Sequence, residues 1–595
     1  MKFTALSLCV QALPFLVAAL PGTSSAATVV IAIYGQSVPG GNGTYTFVEV
    51  PSISNSGQVA FRSVLGSTSG GADDNLVIMR GNSGTEAVQL VRKGQASPDG
   101  NGVFSTFRDP ALNNHDVAVF LIYLSGTTGG TSDDSGIFKS NGVAAPIPIV
   151  REGQPAPDAV GVFSFFGEYY VMNDAGQAAF NGSINLNNGG GLLDQDGIFR
   201  GDGVTGPVQI ARRGQATPTG NGTYAFFDEI ALNESGQVAF WSSLTGTTGG
   251  GNDNEGVFRG DGAAPTVTIA REGQAVPAGN GEFFLFNSPV MNDAGQVAFF
   301  ANLRNTSGGD NDNLGIFRGD GATGPVTIAR RGEAVPGGSG TFWMFGRETI
   351  NQAGVVAVTV DINLNNGEGP YDEEGIILGD GTPGGITMVA RTGQAVPGGN
   401  GTLYTFTNPA LNNAGQLAFR ASILKPGGGS EFGLFFFDPL EGLFLICRAG
   451  APFLGSTVDT FNFFNSGGYP TDGRTGLNES GEVAFEFVLD NGKEGIARWS
   501  TAPGPVIPLQ ITDFQMEPPP PWDPFGYAQV ILQWKTSSNA TSFNVRYSDD
   551  LSLPTSEWPL MGAPVPREEP VTTFETGIPA FFLPPKLFFV VEEVE

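Results

Sequence analysis

The sequence predicts an all-β chain, a propeller-like array of about eight four-stranded repeats followed by a small C-terminal β-sandwich. Three observations predict it. A Gly-Gln-x-x-Pro landmark, or a near version of it, recurs with its first residue at Gly35, Gly94, Gly153, Gly214, Gly273, Gly332, Gly393 and Gly450, a spacing of 57 to 61 residues. A second landmark, a turn of the type Asn-x-x-Gly, begins at Ser54, Asn113, Asn173, Asn233, Asn292, Asn351, Asn412 and Asn478. Between these points stand short apolar runs rich in β-formers and bounded by turn residues, with helix signals nearly absent.

The unit is clearest between Ile230 and Arg271. Phe227 to Leu232 and Gln237 to Leu244 flank Asn233-Glu234-Ser235-Gly236, which reads as a β-hairpin. The closing glycine supplies positive φ without a Cβ clash, and the opening asparagine can hydrogen-bond its own backbone. Gly256 to Arg259 then joins Pro265 to Arg271 through the turn Gly260-Asp261-Gly262, giving four strands. Repeat two departs from the pattern with Asp116 in the glycine place.

Four short strands in about sixty residues exceed one coil of a solenoid but suit one propeller blade, and eight units suggest eight blades. Phe107, Phe166, Phe227, Phe286, Phe345, Phe406 and Phe464 are read as one register of blade-to-blade core residues. A propeller must join its ends. Thr28 to Tyr34 and Gly504 to Ile511 both match the strand that precedes the landmark, and either is able to complete a blade from the other terminus.

This pattern resembles the choice-of-anchor tandem-repeat proteins with the Asn-x-x-Gly-x-x-Ala-Phe motif, over roughly residues 30 to 500. The resemblance implies export from a bacterial cell and a repetitive β-fold; that family carries no assigned activity. The sorting tail of its usual members is not matched at Phe588 to Glu595.

The divisions expected are a secretory signal at 1–27, the array at 28–511, a Pro-rich spacer at 512–526 and the sandwich at 527–595. Lys2, the apolar run Ala5 to Leu20 and the small residues Ser24 to Ala27 carry the signal. Its removal leaves Cys447 as the single cysteine, read as a small buried hydrophobe. In the last segment, Ala528 to Lys535, Ser542 to Tyr547, Val571 to Glu575 and Leu587 to Val591 read as strands, and the order of Trp534, Tyr547 and Trp558 resembles fibronectin-type-III or immunoglobulin-like modules.

A net charge of -29 disfavours nucleic acid and anionic lipid as partners. His115 is the only histidine and is read as an exposed turn residue, so Ser-His-Asp triads and multi-histidine metal sites have almost no material. Asp74, Asp133, Asp194, Asp253, Asp312 and Asp372 recur on Gly-rich loops, where oxygen ligands suit calcium, Ca²⁺. The competing reading pairs these acids with turn N–H groups and with the repeated Arg92, Arg151, Arg212, Arg271, Arg330, Arg391 and Arg448. No catalytic residue is selected; the positions that break the pattern are Glu168, Tyr169, Tyr170, Trp343, Arg347 and the insertion Asn465 to Arg474.

Function is accordingly expected to be that of an exported, non-enzymatic, monomeric repeat protein, secreted or at the bacterial cell surface. Its array presents a binding face to a polysaccharide or a cell-surface protein, and nothing is inserted in the membrane after signal cleavage. The alternative is a secreted carbohydrate-active enzyme that uses acids of the pattern-breaking loops.

Overall fold

The structure is a computed structural model. It describes residues 27–500 apart from 84–86, 158–160, 186–195, 288, 365–372 and 464–474, together with 510–517, 527–535, 542–548, 559–560, 565–566, 572–579 and 588–594. Residues 1–26 of the expected signal, Asp194, Asp372, Phe464, Trp558 and the insertion 465–474 lie outside the described residues. Contacts divide the chain into two units, Thr28–Ser500 and one that holds Thr501–Glu595.

Thr28–Ser500 forms an eight-bladed β-propeller, as the repeats predict. Blade four shows the plan: Thr223–Leu232, Val238–Thr245, Glu255–Gly260 and Val267–Arg271 pair in chain order, each antiparallel to the next. The other blades occupy 44–92, 103–151, 162–212, 282–330, 341–391, 402–448 and 452–500. First strands of successive blades touch one another, so they line the axis. In most blades this strand is interrupted; in blade two, residues 108–110 separate Val103–Phe107 from Ala111–Leu112.

The ring closes through the N-terminal strand. Ala27–Ile33 pairs with Glu494–Ser500 of blade eight and supplies its outermost strand, so Thr28 to Tyr34 completes the blade; residues 504–509 of the alternative lie outside the described residues. Tyr34 N–H donates to Glu494 O at 2.8 Å at the end of this pairing.

Among the described residues of the propeller the core is eight clusters, each shared by neighbouring blades. Ala239, Val257 and Ile269 of blade four pack on Phe283, Phe286, Phe299 and Phe317 of blade five; Ile31, Ala484 and Ile496 of blade eight pack on Tyr45, Val48 and Phe61 of blade one. Of the register phenylalanines expected in the core, Phe107, Phe166, Phe227, Phe286 and Phe345 are buried there and Phe406 is half-buried, with one correction. In blade eight the register residue is Phe461, opposite Phe487 and fully buried, because the turn after Gly450 is shorter than in the other repeats. Cys447 packs against the cluster of blades seven and eight, and burial pushes its thiol up to about 11, so no reactive thiolate forms at neutral pH.

In the second unit Gln510–Glu517, Tyr527–Lys535 and Thr572–Pro579 form one three-stranded sheet; Val565–Pro566, Ser542–Ser548 and Phe588–Val594 form another. The four strands expected there are found. Residues 512–517, expected as spacer, belong to the strand Gln510–Glu517.

Candidate functional site at the propeller axis

At one end of the axis the first hairpin turns of all eight blades lock together, and the asparagine of the motif explains how. Each Asn Oδ1 accepts the N–H four residues on, as from Gln177 to Asn173 at 3.0 Å. Its Nδ2 donates to the carbonyl of the same residue in the next blade: Asn113 to Asn173, Asn173 to Asn233, Asn233 to Asn292, Asn292 to Asn351, Asn351 to Asn412, Asn412 to Asn478 and Asn478 to Ser54, at 2.9 to 3.5 Å. A carboxamide carries its acceptor and its donor on two separate atoms, so one side chain reaches its own turn and the next blade at once, and these asparagines are buried.

A second ring lies outside the first. The N–H of the following residue donates to the side-chain oxygen of its counterpart in the next blade, from Asn55 to Asn114, Asp174, Glu234, Asp293, Gln352, Asn413, Glu479 and back to Asn55. This first variable position of the motif is therefore restricted to side chains with a carbonyl or carboxylate oxygen. Partial desolvation raises the pKa of Glu234 and of Glu479 within this ring. His115 is exposed in its turn, as expected, with Nδ1 at 2.9 Å from Asp174 O.

A further set of repeated cations ties six of the eight blades to the next turn. Arg80 reaches Asp116 O at 3.0 Å, Lys139 reaches Gly176 O at 2.9 Å, Arg498 reaches Gly57 O at 2.7 Å, and Arg200, Arg259 and Arg318 reach Gly236 O, Gly295 O and Gly354 O.

The recurrent Asp loops sit elsewhere, each between the second and third strands of its blade. Asp74, Asp133, Asp253 and Asp312 accept Nδ2 of Asn42, Asn101, Asn221 and Asn280 at 2.7 to 2.8 Å. Arg92, Arg271 and Arg330 stand 3.4, 3.9 and 3.7 Å from the carboxylates of Asp74, Asp253 and Asp312. For Asp253 burial pushes the pKa up, but bonds from Thr247, Asn221 and the Gly249 N–H, with the Arg271 charge, hold it below the usual range. The turn N–H and arginine contacts proposed as the competing reading are thus present. Among the described residues no three His, Cys, Asp or Glu side chains gather as a metal-binding group.

Midway along the axis, the interrupted stretches of the first strands carry charged groups that the repeat pattern does not announce. Arg347 Nη2 of blade six bonds Glu229 Oε1 of blade four at 2.7 Å, reaching past blade five. On the opposite arc Arg62 bridges Glu49 and Asp109 at 2.8 and 2.7 Å, and Tyr170 Oη donates to Asp109 O at 2.7 Å. Burial pushes Glu348 up to about 8 and Glu486 up to about 7, the latter helped by Glu494, Glu49 and Asp109 nearby. Of the pattern-breaking positions, Arg347 and Tyr170 reach this belt; Trp343 lies under the Arg331 guanidinium at 3.8 Å; the Glu168 side chain is outside the described residues. Glu229 and Glu348 escape a sequence reading, whose only signal for them is a position two or three residues after the register phenylalanine.

Two cavities open beside the first strands. One of about 370 Å³ lies between blades three and four, lined by Phe165, Tyr169, Asn181, Asp196, Phe226 and Asp228 among others. Phe165 and Phe226 occupy one register and are 55% and 54% exposed, the most exposed phenylalanines among the described residues. The other, of about 410 Å³, is lined by Asn287, Asn302, Phe345, Arg347, Glu348 and Asn408 with apolar neighbours.

The closed ring of four-stranded blades defines an eight-bladed β-propeller built from tandem repeats. The chain belongs to a family of unknown function (DUF7453), whose model matches in three overlapping copies at residues 17–203, 184–383 and 364–507. No curated protein matches the sequence at a significant level. Similar solved structures include the Hadza microbial sialidase Hz136, with 12% identity over 80% of this chain and 89% of that one at a TM-score of 0.25. A PL25 ulvan lyase is 9% identical over 79% of this chain and 94% of its own, at 0.28. Trypanosoma rangeli sialidase is 10% identical over 96% and 89%, at 0.26. The fold stands on the strand pairing of this chain and its chemistry on its own residues. Among the described residues no helix is long and apolar enough to cross a membrane.

Proposed function

We propose that this chain is an exported, non-enzymatic binding propeller whose ligand is a polysaccharide, held first at the cavity between blades three and four. The observation that carries the reading is the pair Phe165 and Phe226, two half-exposed rings in one register, opening on a cavity that also presents Asn181, Ser183, Asp196 and Asp228. A sugar ring has an apolar C–H face and a rim of hydroxyls. Exposed aromatic faces beside amide, hydroxyl and carboxylate groups match both. The motif resemblance to choice-of-anchor proteins and the signal-like 1–27 support placement outside a bacterial cell.

The test is retention of the purified chain on a panel of insoluble and gel-immobilised polysaccharides. Phe165→Ala and Phe226→Ala should each weaken retention about tenfold, the equivalent of about 1.4 kcal/mol, and Asp253→Asn should leave it unchanged. Failure to be retained on any member of a broad panel ends the reading.

A second reading, a carbohydrate-active enzyme, draws on Glu229 and Glu348, two axial carboxyls in different environments: one faces an arginine, the other is pushed up to about 8 by burial. Release of reducing ends from a retained polysaccharide, abolished by Glu348→Gln, would select it.

A further inference from the structure

Glu348 is 6% exposed, and its Oε1 is buried without a hydrogen-bond partner. Glu229 is equally buried, with Oε1 held by Arg347 Nη2 at 2.7 Å and Oε2 unmatched. A buried carboxyl oxygen left unmade forfeits the free energy of its lost hydration, and of these two glutamates it is Glu348 that lines a cavity. Glu348 and Arg347 line the cavity of about 410 Å³, whose wall adds the carboxamides of Asn287, Asn302 and Asn408 to the apolar side chains of Phe300 and Phe345.

The state of Glu348 narrows the chemistry of that partner. Burial pushes its pKa up to about 8, against the weaker pull of nearby N–H groups and Arg347. That shift favours the carboxylic acid, which has one O–H to give and one carbonyl oxygen to receive. The Arg347 charge is met by Glu229, so the wall offers hydrogen bonds of both kinds with little net charge. A metal ion would need anionic oxygen ligands, and an anion would need an unmatched cation; the wall favours neither.

We infer that the cavity between blades five and six is a binding site for one neutral, polyhydroxylated group, a single sugar residue, with Glu348 exchanging hydrogen bonds with its hydroxyls. This rests on the glycan-binding reading and adds to it a second, enclosed site that takes an uncharged unit or chain end. Such a site holds its ligand by fixed amide and acid groups, whereas the Phe165 and Phe226 cavity holds it by ring faces.

The test is saturation-transfer NMR on the whole chain with the methyl glycosides of glucose, galactose, mannose and xylose, and with glucuronate as the charged control. At least one neutral glycoside should bind saturably, and glucuronate more weakly than its neutral counterpart. Wild-type binding should weaken severalfold between pH 7 and 9, as the acid loses its proton. Glu348→Gln, which offers a donor and an acceptor at every pH, should bind with no such slope, and Glu348→Leu should lose binding at least tenfold with a native melting profile. Should the leucine variant not fold, the flat pH profile of the glutamine variant decides. No binding of any neutral glycoside, preference for glucuronate, or an identical pH slope in wild type and Glu348→Gln overturns the inference. Polysaccharide retention that persists while every glycoside fails overturns the axial site alone; loss of both removes the glycan reading as well.

Discussion

Ser54 Oγ donates to Asp116 Oδ1 at 2.6 Å, joining the two positions at which the hairpin turns depart from their repeat. Ser54 stands where the other seven turns have asparagine, and has no Nδ2 to reach the next blade. Asp116 stands where the others have glycine; it adopts φ +61° and accepts Ser56 Oγ as well, at 2.7 Å. One departure compensates the other, and the ring of turns stays closed between blades one and two.

Breaking this pair on one side should destabilise the propeller. Asp116→Ala leaves both serine hydroxyls of the turn without their acceptor and keeps a side chain at positive φ, for an expected loss of about 1–3 kcal/mol. The double change Ser54→Asn with Asp116→Gly restores the repeat chemistry and should recover that loss. Thermal melts of the two variants decide; additive behaviour, with the double variant no better than Asp116→Ala, would break the argument.

Asn233→Ala should cost about 1–3 kcal/mol, because the Asn292 carbonyl and the N–H of Gln237 lose buried partners together. Glu234→Ala, at the exposed position beside it, loses a solvated acceptor for the Asp174 N–H and should cost under about 1 kcal/mol. Equal losses from the two would contradict the distinction between the inner and outer rings. Chemical denaturation of each variant measures them.

In the blade core, Phe240→Ala should cost about 3–5 kcal/mol. Its ring is fully buried, stacked on Phe258 at 5.7 Å and set edge-on to Tyr224. An effect under 1 kcal/mol in a denaturant titration would mean that blade four does not share a rigid core with its neighbours.

Stability should fall on the alkaline side through the axial acids. Burial raises Glu348 to about 8 and Glu486 to about 7 in the folded chain, above the ordinary carboxylate value they hold when unfolded. The folded state therefore binds more protons across this window. Their contribution is complete below the unfolded pKa and is lost as pH rises through about 7 and 8. Melting temperatures between pH 5 and 9 should decline, and Glu348→Gln should flatten the upper part of that decline; an unchanged slope in the variant would show that Glu348 does not titrate there.

The Asp loops should not respond specifically to calcium. Their carboxylates already accept asparagine, threonine and turn N–H groups and face an arginine, so a metal would have to displace protein donors. Melts in chelator, calcium and magnesium should agree once ionic strength is matched. A rise in calcium alone, lost in Asp253→Asn and Asp312→Asn, would instead establish calcium at these loops.

The sequence by itself determined the unit and its number. Strand, turn and register are written in local order: β-formers between Gly35 and Ser54, a glycine such as Gly236 that takes up a φ of +80°, and a phenylalanine as the fifth residue of the first strand in blades two to seven. These signals act within some sixty residues and repeat, so they survive degradation in single copies. Closure and chemistry were decided only by the tertiary structure. Ala27–Ile33 finds Glu494–Ser500, Asn478 finds Ser54 across 424 positions and Arg347 finds Glu229 across 118. The blades bring these residues together only when the ring is complete. The Phe226 face and the Glu348 wall were illegible for the same reason: phenylalanine and glutamate are ordinary residues of a repeat until neighbouring blades leave one ring exposed and one carboxyl buried.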